Sequence, residues 1–397
     1  MEANLLFNES TTTTTNASSM STDPEPDVEV VEPLSPIAKV CCVLIYTCLS
    51  ALAIGGNSIV VFIIVYFRRM RTPTNLLILN LALADLMISI FCLPLSYWSM
   101  LIIPDQRWIL GELLCRILPF LQGTAVFLSS WTLVVISFDR FMAIMFLLKP
   151  ELRITRRKAI VLICLTWCFS VIMASPFAIV NTLMINEKGA PTCNEEWEWF
   201  EEHIGITNRG YSTCVFVLQY CLPLAVLIVT YAGIGLRVWN SSLPGSERHD
   251  GENRRIVNDR RESVRKMVPM MILVSFLYGM CWLPQNVLMN IMLPINPSIG
   301  SYRYILYVWW IANTIAMSHS VVNPVVYYLR NQKFREGFRF ALRWVPMVHF
   351  EGLESLTERS HHRSQAVRIV NMVAYLPVTN QHTAMEEGDD GDAYHNS

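Results

Sequence analysis

Charge is scarce in this chain. Asp, Glu, Lys and Arg make up 16% of its 397 residues, against 53% hydrophobic ones, and the mean hydropathy is positive. A soluble domain of this length carries about a quarter charged residues, so that class is excluded first. The formal net charge of -1 offers no argument for nucleic acid, and no such partner is expected. Spacings such as H-E-x-x-H and nucleophile motifs are absent, and His203, His249, His349, His361, His362, His382 and His395 all fall in loops or tails, which argues against an enzyme. The start lacks the basic and short apolar regions of a cleavable signal peptide, so the first long apolar run is expected to act as signal anchor. A disulfide scaffold is absent too. Of eleven cysteines, Cys41, Cys42, Cys48, Cys92, Cys164, Cys168, Cys214, Cys221 and Cys281 lie inside apolar runs and read as small hydrophobes. Only Cys115 and Cys193 lie in flanking or polar sequence.

Long apolar runs are what the chain does have. The stretch from Cys115 to Arg140 reads CRILPFLQGTAVFLSSWTLVVISFDR, and as a helix it covers ~37 Å, more than the ~30 Å hydrocarbon core of a bilayer. Its ends therefore sit in opposite interfaces. Seven such runs follow one another, at 38–66, 75–101, 112–146, 157–180, 211–239, 264–293 and 303–329. Lys and Arg gather after runs one, three and five, for example Arg68, Arg69 and Arg71, then Arg156, Arg157 and Lys158, then Arg254, Arg255, Arg260 and Arg261. The segment 181–210 is instead acidic. By the positive-inside rule the basic segments face the cytoplasm, so the N-terminus is expected outside and the C-terminus inside, in a multi-pass plasma-membrane protein. Residues 1–36 are Thr/Ser-rich, then acidic and Pro-rich, and read as a disordered extracellular tail. Asn8 and Asn16 there head N-glycosylation triplets. Residues 346–397 read as a disordered cytoplasmic tail, leaving 37–345 as the membrane domain.

Polar groups within the runs are the next signal, because a charge at mid-bilayer costs at least ~2.5–3.5 kcal/mol. Asp85 in LALADL is the one carboxylate deep in a span; Asn57, Ser129, His319, Ser320 and Asn323 stand at comparable depth. They read either as a packing network or as a hydrated pocket for a small cation. Pro94, Pro176, Pro223, Pro284 and Pro324 should each kink a helix, and Trp282 lies two residues before one of those bends. A transporter or channel would show repeated halves and several intramembrane charges, neither of which is present.

Taken in order, Gly56-Asn57, Leu81 to Asp85, Trp108 before Gly111, Cys115, Asp139-Arg140-Phe141, Trp167, Pro223 with Tyr231, Cys281-Trp282-Leu283-Pro284 and Asn323-Pro324 with Tyr327 resemble the rhodopsin-like (class A) G-protein-coupled receptors over about residues 38–345. The implied fold is an all-α membrane protein: a seven-transmembrane helix bundle with a short amphipathic eighth helix and disordered tails. The resemblance implies that Asp139 and Arg140 face a heterotrimeric G protein, that Tyr231 and Tyr327 move toward that site, and that Trp282, with Tyr278 and Pro284 beside it, is a toggle beneath the ligand. Cys115 and Cys193, on the outer face, are expected to pair. Asp85, Ser129 and Asn323 would hold an allosteric sodium ion; no other cofactor is expected. Phe334 would lie on the inner leaflet in helix eight, with Lys333, Arg335 and Arg339 toward lipid headgroups. Arrestin and receptor kinases are further candidate partners through the basic third loop and the tail.

Some positions depart from the family pattern. Tyr278 stands where most members have Phe, Phe141 where many have Tyr, Leu147 where a proline often stands, and Val264 offers no carboxylate to lock Arg140. The third-helix position that carries an acid in amine receptors is Gln122, and run seven has no lysine for a Schiff base. Gln122, Ser96, Gln285, Asn286, Asn290 and Asn313 are neutral hydrogen-bonding groups for an upper pocket, with Glu195, Glu196 and Glu198 at its mouth. This set favours a peptide with basic residues and an amidated end. It resembles the neuropeptide Y, neuropeptide F and RYamide-type receptors, although Leu293 lies where several of those carry an acid; that resemblance suggests inhibitory coupling. A class A receptor for a non-peptide ligand is the alternative.

Overall fold

The computed structural model describes residues 33–97, 101, 107–146, 151, 153–186, 189–240, 251–346, 348 and 356, without the side chains of 96, 97, 238–240 and 251–268. Asn8, Asn16 and almost all of both expected tails lie outside the described residues, as does the side chain of Ser96. Seven helices are long and apolar enough to cross a membrane: α1 Pro36–Tyr66, α2 Pro73–Leu95, α3 Gly111–Met145, α4 Arg156–Val180, α5 Asn208–Arg237, α6 over Pro269–Ile295 and α7 Ile305–Arg330. They match the seven predicted runs to within a few residues. A further helix, α8, follows at Gln332–Ala341.

Local chemistry sets the helix starts. Ser35 and Thr72 accept from the backbone N–H groups of Ala38 and Asn75, and each is followed by a proline at the first helical position. A hydroxyl cap removes one orphan donor, and proline has no N–H there to orphan. Thr155 and Thr207 cap α4 and α5 in the same way. Helix interiors are bent where prolines intrude. Five-residue π turns at Ile88–Cys92 and Val217–Cys221 lie just ahead of Pro94 and Pro223, so the carbonyl four residues before each proline sits in a wider turn, where it avoids the ring. In α6 the π turn, Leu288–Met292, comes after Pro284. Pro119, which was not among the expected kinks, also stands inside α3. The helix of run seven is interrupted at Ser318, between Ile305–Met317 and His319–Arg330.

Close approach of α1 and α7 depends on a glycine. A Cβ at Gly56 would stand 2.8 Å from the Pro324 Cβ, so any side chain there would force the helices apart. A similar contact corrects the expectation for α8. Its apolar face does not simply meet lipid: Phe334 is fully buried and stacks on Tyr327 with ring centroids 5.4 Å apart, while Phe340 stacks on Phe62 and Tyr66 of α1. Gly337 allows this docking, since a Cβ there would lie 2.7 Å from Ile63. Arg335, expected at headgroups, instead donates to the carbonyls of Tyr328 and Leu329 at 3.2 and 2.5 Å, satisfying the open C-terminal end of α7.

The acidic 181–210 segment is not an irregular loop. Strand β1, Asn181–Ile185, pairs antiparallel with β2, Pro191–Glu195, and a short helix runs from Glu198 to Ile204 before Gly205 ends it with φ +72°. Trp197, Phe200 and Tyr211 with Val180 form a small apolar cluster beneath that helix. Two bulky rings within this stretch, Trp197 and Phe200, pack against Val180 and Tyr211 on the flanking helices, which a reading of its charge alone passed over.

Candidate functional site

Three polar layers stack along the bundle. At the disulfide end, Cys115 of α3 is bonded to Cys193 of β2, with their Cα atoms 5.7 Å apart. The Trp108 backbone N–H donates to the Pro191 carbonyl at 2.7 Å, and the Trp108 indole to the Gly111 carbonyl, also at 2.7 Å. The hairpin is thereby held to α3 and to the segment before it through two residues of β2, Pro191 and Cys193. Gln122 lies seven residues along α3, ~10 Å below the disulfide. It is half-buried, and its side chain makes no hydrogen bond to any of the described residues. On α6, Gln285 is buried with its Oε1 unpartnered, and Thr124 Oγ1 and Trp282 Nε1 are likewise unpartnered and shielded.

The remaining described candidates at this end, Glu198 apart, are engaged within the protein. Asn286 donates to the Trp282 carbonyl at 2.9 Å, and Asn290 donates to Asn286 Oδ1 at 3.3 Å, forming an amide ladder down one face of α6. Asn313 faces α1, donating to the Tyr46 hydroxyl at 2.6 Å. Glu195 accepts from the Trp197 indole at 3.0 Å, Glu196 from Thr182 at 3.4 Å, and Glu198 is exposed in the first turn of the short helix.

The middle layer centres on Asp85, whose side chain is fully buried. Its Oδ2 accepts from Asn323 Nδ2 at 2.8 Å, and Ser320, whose Oγ lies 3.4 Å from His319 Nε2, stands beside the carboxylate. Oδ1 has no hydrogen-bond partner; His319 Nε2 stands 3.5 Å away. His319 Nδ1 lies 2.7 Å from the Ala316 carbonyl, a group that only accepts, so Nδ1 carries the hydrogen and Nε2 of a neutral ring is itself an acceptor. Ser129 Oγ and Asn57 Oδ1 are also buried and unpartnered. Asn57 spans α1 and α7 through its donation to the Ser320 carbonyl at 2.9 Å. The His319 ring reaches toward α6, 5.5 Å from Trp282 and 5.9 Å from Tyr278. Asn80, Thr132 and Trp167 tie α2, α3 and α4 at 2.8 Å each.

At the far end of α3, Asp139 Oδ2 accepts from Arg140 Nε at 3.1 Å and from Thr74 Oγ1 of α2 at 2.9 Å, and a second Arg140 nitrogen closes on both groups. Both members of the pair are almost wholly buried, so the guanidinium is neutralised by Asp139 on α3 and hydrogen-bonded to Thr74 on α2. Nearby, the Tyr231 hydroxyl is 3.2 Å from Ser275 Oγ of α6, while the buried Tyr327 hydroxyl has no partner.

A seven-helix bundle with this disulfide and these motifs is matched from residue 56 to 327 by the model of the 7 transmembrane receptor (rhodopsin family). The chain belongs to that family. Its members are receptors rather than enzymes. The receptor is 48% identical over 343 residues to neuropeptide receptor 22 of Caenorhabditis elegans, an alignment covering 85% of this chain and 79% of that protein. It is 35% identical over 336 residues to the RYamide receptor of Tribolium castaneum, covering 81% and 87%. With the human substance-K receptor it shares 34% over 303 residues, covering 76% and 73%.

Several residues in the receptor's polar layers escaped the sequence argument. Thr74 reads only as a neighbour of the Thr72-Pro73 cap, and Tyr46 as one aromatic among many apolar neighbours. Ser130 and Ser275 sit in apolar runs with no local signal, since serine is common in membrane helices, where its hydroxyl can return to its own backbone.

Proposed function

We propose that this receptor binds an extracellular neuropeptide with basic residues and an amidated C-terminal end, and signals through a heterotrimeric G protein, with inhibitory coupling favoured. The observation that carries the peptide-end assignment is the open amide of Gln122, with the unpartnered Gln285 oxygen on the facing helix. A side-chain amide offers two donors and one acceptor without charge, which complements a terminal carboxamide. A carboxylate entering the same depth would be desolvated without a counter-charge. The relatives' names, which include neuropeptide and RYamide receptors, support a peptide ligand. Glu195, Glu196 and Glu198 around the hairpin supply negative charge for basic residues of the peptide. Ser96, Asn286, Asn290 and Asn313 are assigned to the pocket wall, the last two chiefly as supports.

In this reading the disulfide end is extracellular, Asn8 and Asn16 are glycosylated, residues 1–36 and 346–397 are tails, and the Arg140 end meets the G protein, with arrestin and receptor kinases acting on the same face and lipid around the bundle. Agonist binding would be relayed past Trp282, Tyr278 and Pro284 to Asp139, Arg140, Tyr231, Asn323, Pro324 and Tyr327. A sodium ion fits the middle layer by its oxygen set, because Asp85 Oδ1 and Ser129 Oγ are buried oxygens lacking protein partners and hard cations take oxygen donors. Asn323 would hold the carboxylate in place. Bound there, sodium would supply the positive charge that the carboxylate otherwise lacks.

The test is nucleotide exchange on reconstituted G proteins, driven by a library of amidated peptides and their free-acid twins. The wild-type receptor should prefer the amidated form. Gln122→Leu should weaken agonist binding by roughly 1–3 kcal/mol at normal expression and lose most of that preference. Equal discrimination by mutant and wild type would sink the assignment.

A further inference from the structure

We propose that Ser275, Ser130 and Tyr220 form, with Tyr231 and Tyr278, a neutral hydroxyl latch that holds α6 against α3 and α5 in the closed state, with Ser275 as the positioning residue nearest the Arg140 end. Three contacts carry this. The Tyr231 hydroxyl of α5 is 3.2 Å from Ser275 Oγ. The Tyr278 hydroxyl faces Ser130 of α3, and because Ser130 Oγ donates to the Phe127 carbonyl at 3.0 Å, its lone pairs are left to the phenol. The Tyr220 hydroxyl of α5 donates to the Gly279 carbonyl at 3.0 Å. Positions 275, 278 and 279 fall within little more than one helical turn, so α6 is held from two sides in a single band. The band lies on the Arg140 side of Trp282 and Pro284, where a swing of the lower half of α6 must first give way.

All these groups are buried apart from Tyr231, which is half-buried. A broken bond in such surroundings leaves a hydroxyl or carbonyl unsatisfied, which resists opening until the ligand or a partner compensates. Arg140 is satisfied by Asp139 and Thr74, neither of them on α6. The hydroxyl band therefore acts on α6 without drawing on that cluster. The argument needs G-protein coupling but neither the amidated peptide nor sodium, so it stands or falls separately from those assignments.

The experiment is peptide-free nucleotide exchange on a panel of G-protein classes, by full-length receptor in lipid nanodiscs at matched amounts of folded protein. Interhelical hydrogen bonds in membranes average ~0.6 kcal/mol, equivalent to about a threefold change in population. Ser275→Ala and Tyr278→Phe should each raise basal exchange about threefold, and together about ninefold. Ser275→Thr keeps the hydroxyl and should stay at the wild-type rate; Tyr278→Phe keeps the ring, so it separates the bond from packing. Amide hydrogen exchange across residues 270–287 gives the same comparison without a G protein, and should quicken in the Ala and Phe variants only. Wild-type basal rates and unaltered amide exchange in both variants would overturn the latch, as would Ser275→Thr behaving like Ser275→Ala.

Discussion

At the disulfide end of the bundle several shielded polar groups are left without protein partners, whereas at the far end of α3 Arg140 and Asp139 close on one another. Gln285 Oε1, Thr124 Oγ1 and Trp282 Nε1 are unpartnered; Arg140, Asp139 and Thr74 satisfy each other within one cluster. An unpaired buried group forfeits ~1–3 kcal/mol, and a buried charge without a partner much more. A pocket built to receive a ligand can carry the first penalty, since the ligand removes it. A charge pair at a closed end has to satisfy itself until a partner arrives. The Asp85 layer lies between the two and shares both characters, with Oδ2 paired and Oδ1 open.

The comparison is broken most forcefully at the hairpin. The Cys115–Cys193 bond closes a segment of 78 residues, which in the chain-entropy model contributes ~4.5 kcal/mol. Cys193→Ser should therefore lower surface expression and ligand binding together, as read by flow cytometry and radioligand saturation, while the Arg140 cluster stays paired. Unchanged values for both would remove the hairpin from the account of the pocket.

Next in size is the middle layer. If Asp85 and Ser129 take sodium in the closed state, raising sodium at constant ionic strength must shift the population toward that state and weaken agonist affinity. Asp85→Asn should abolish the dependence in competition binding; a mutant with wild-type sodium sensitivity would leave the layer a packing network, with His319 and Ser320 as its other members.

The smallest effect is expected at the rim. Reversing Glu195, Glu196 and Glu198 to Lys should slow peptide association in a salt-dependent way while dissociation stays nearly constant, because exposed charges steer encounter more than they hold a complex. Surface plasmon resonance at two salt concentrations reads this directly. Part of any change at Glu195 will come from the lost bond to the Trp197 indole, so Glu198, which is exposed, gives the cleaner single substitution.

Much of this architecture was legible from the chain. Span number and extent follow from apolar run length, because a bilayer leaves backbone groups no partner outside a helix or closed barrel. Pro36 and Pro73 behind Ser35 and Thr72 mark two helix starts that apolar run length alone placed two residues late. The hairpin and its short helix were missed because acidic residues masked the aromatic cluster of Trp197, Phe200 and Tyr211. The burial of Phe334 was missed for a different reason: a basic amphipathic segment looks the same whether its apolar face meets lipid or protein. What distinguishes them is Gly337, whose missing side chain lets α8 settle on Ile63.

By itself the sequence determined the seven spans, the family motifs and the depth of Asp85 and Gln122, since each depends on distance along one helix and on the cost of polar groups in hydrocarbon. Only the tertiary structure decided which polar groups meet. Asn313 lies at pocket height yet turns to Tyr46, and Arg140 is held by Thr74 as well as by its neighbour Asp139. Ser275 and Ser130 find tyrosines on other helices. Such pairings depend on helix rotation and crossing, which are set by packing over the whole bundle, and a residue's position in the chain carries no local trace of them.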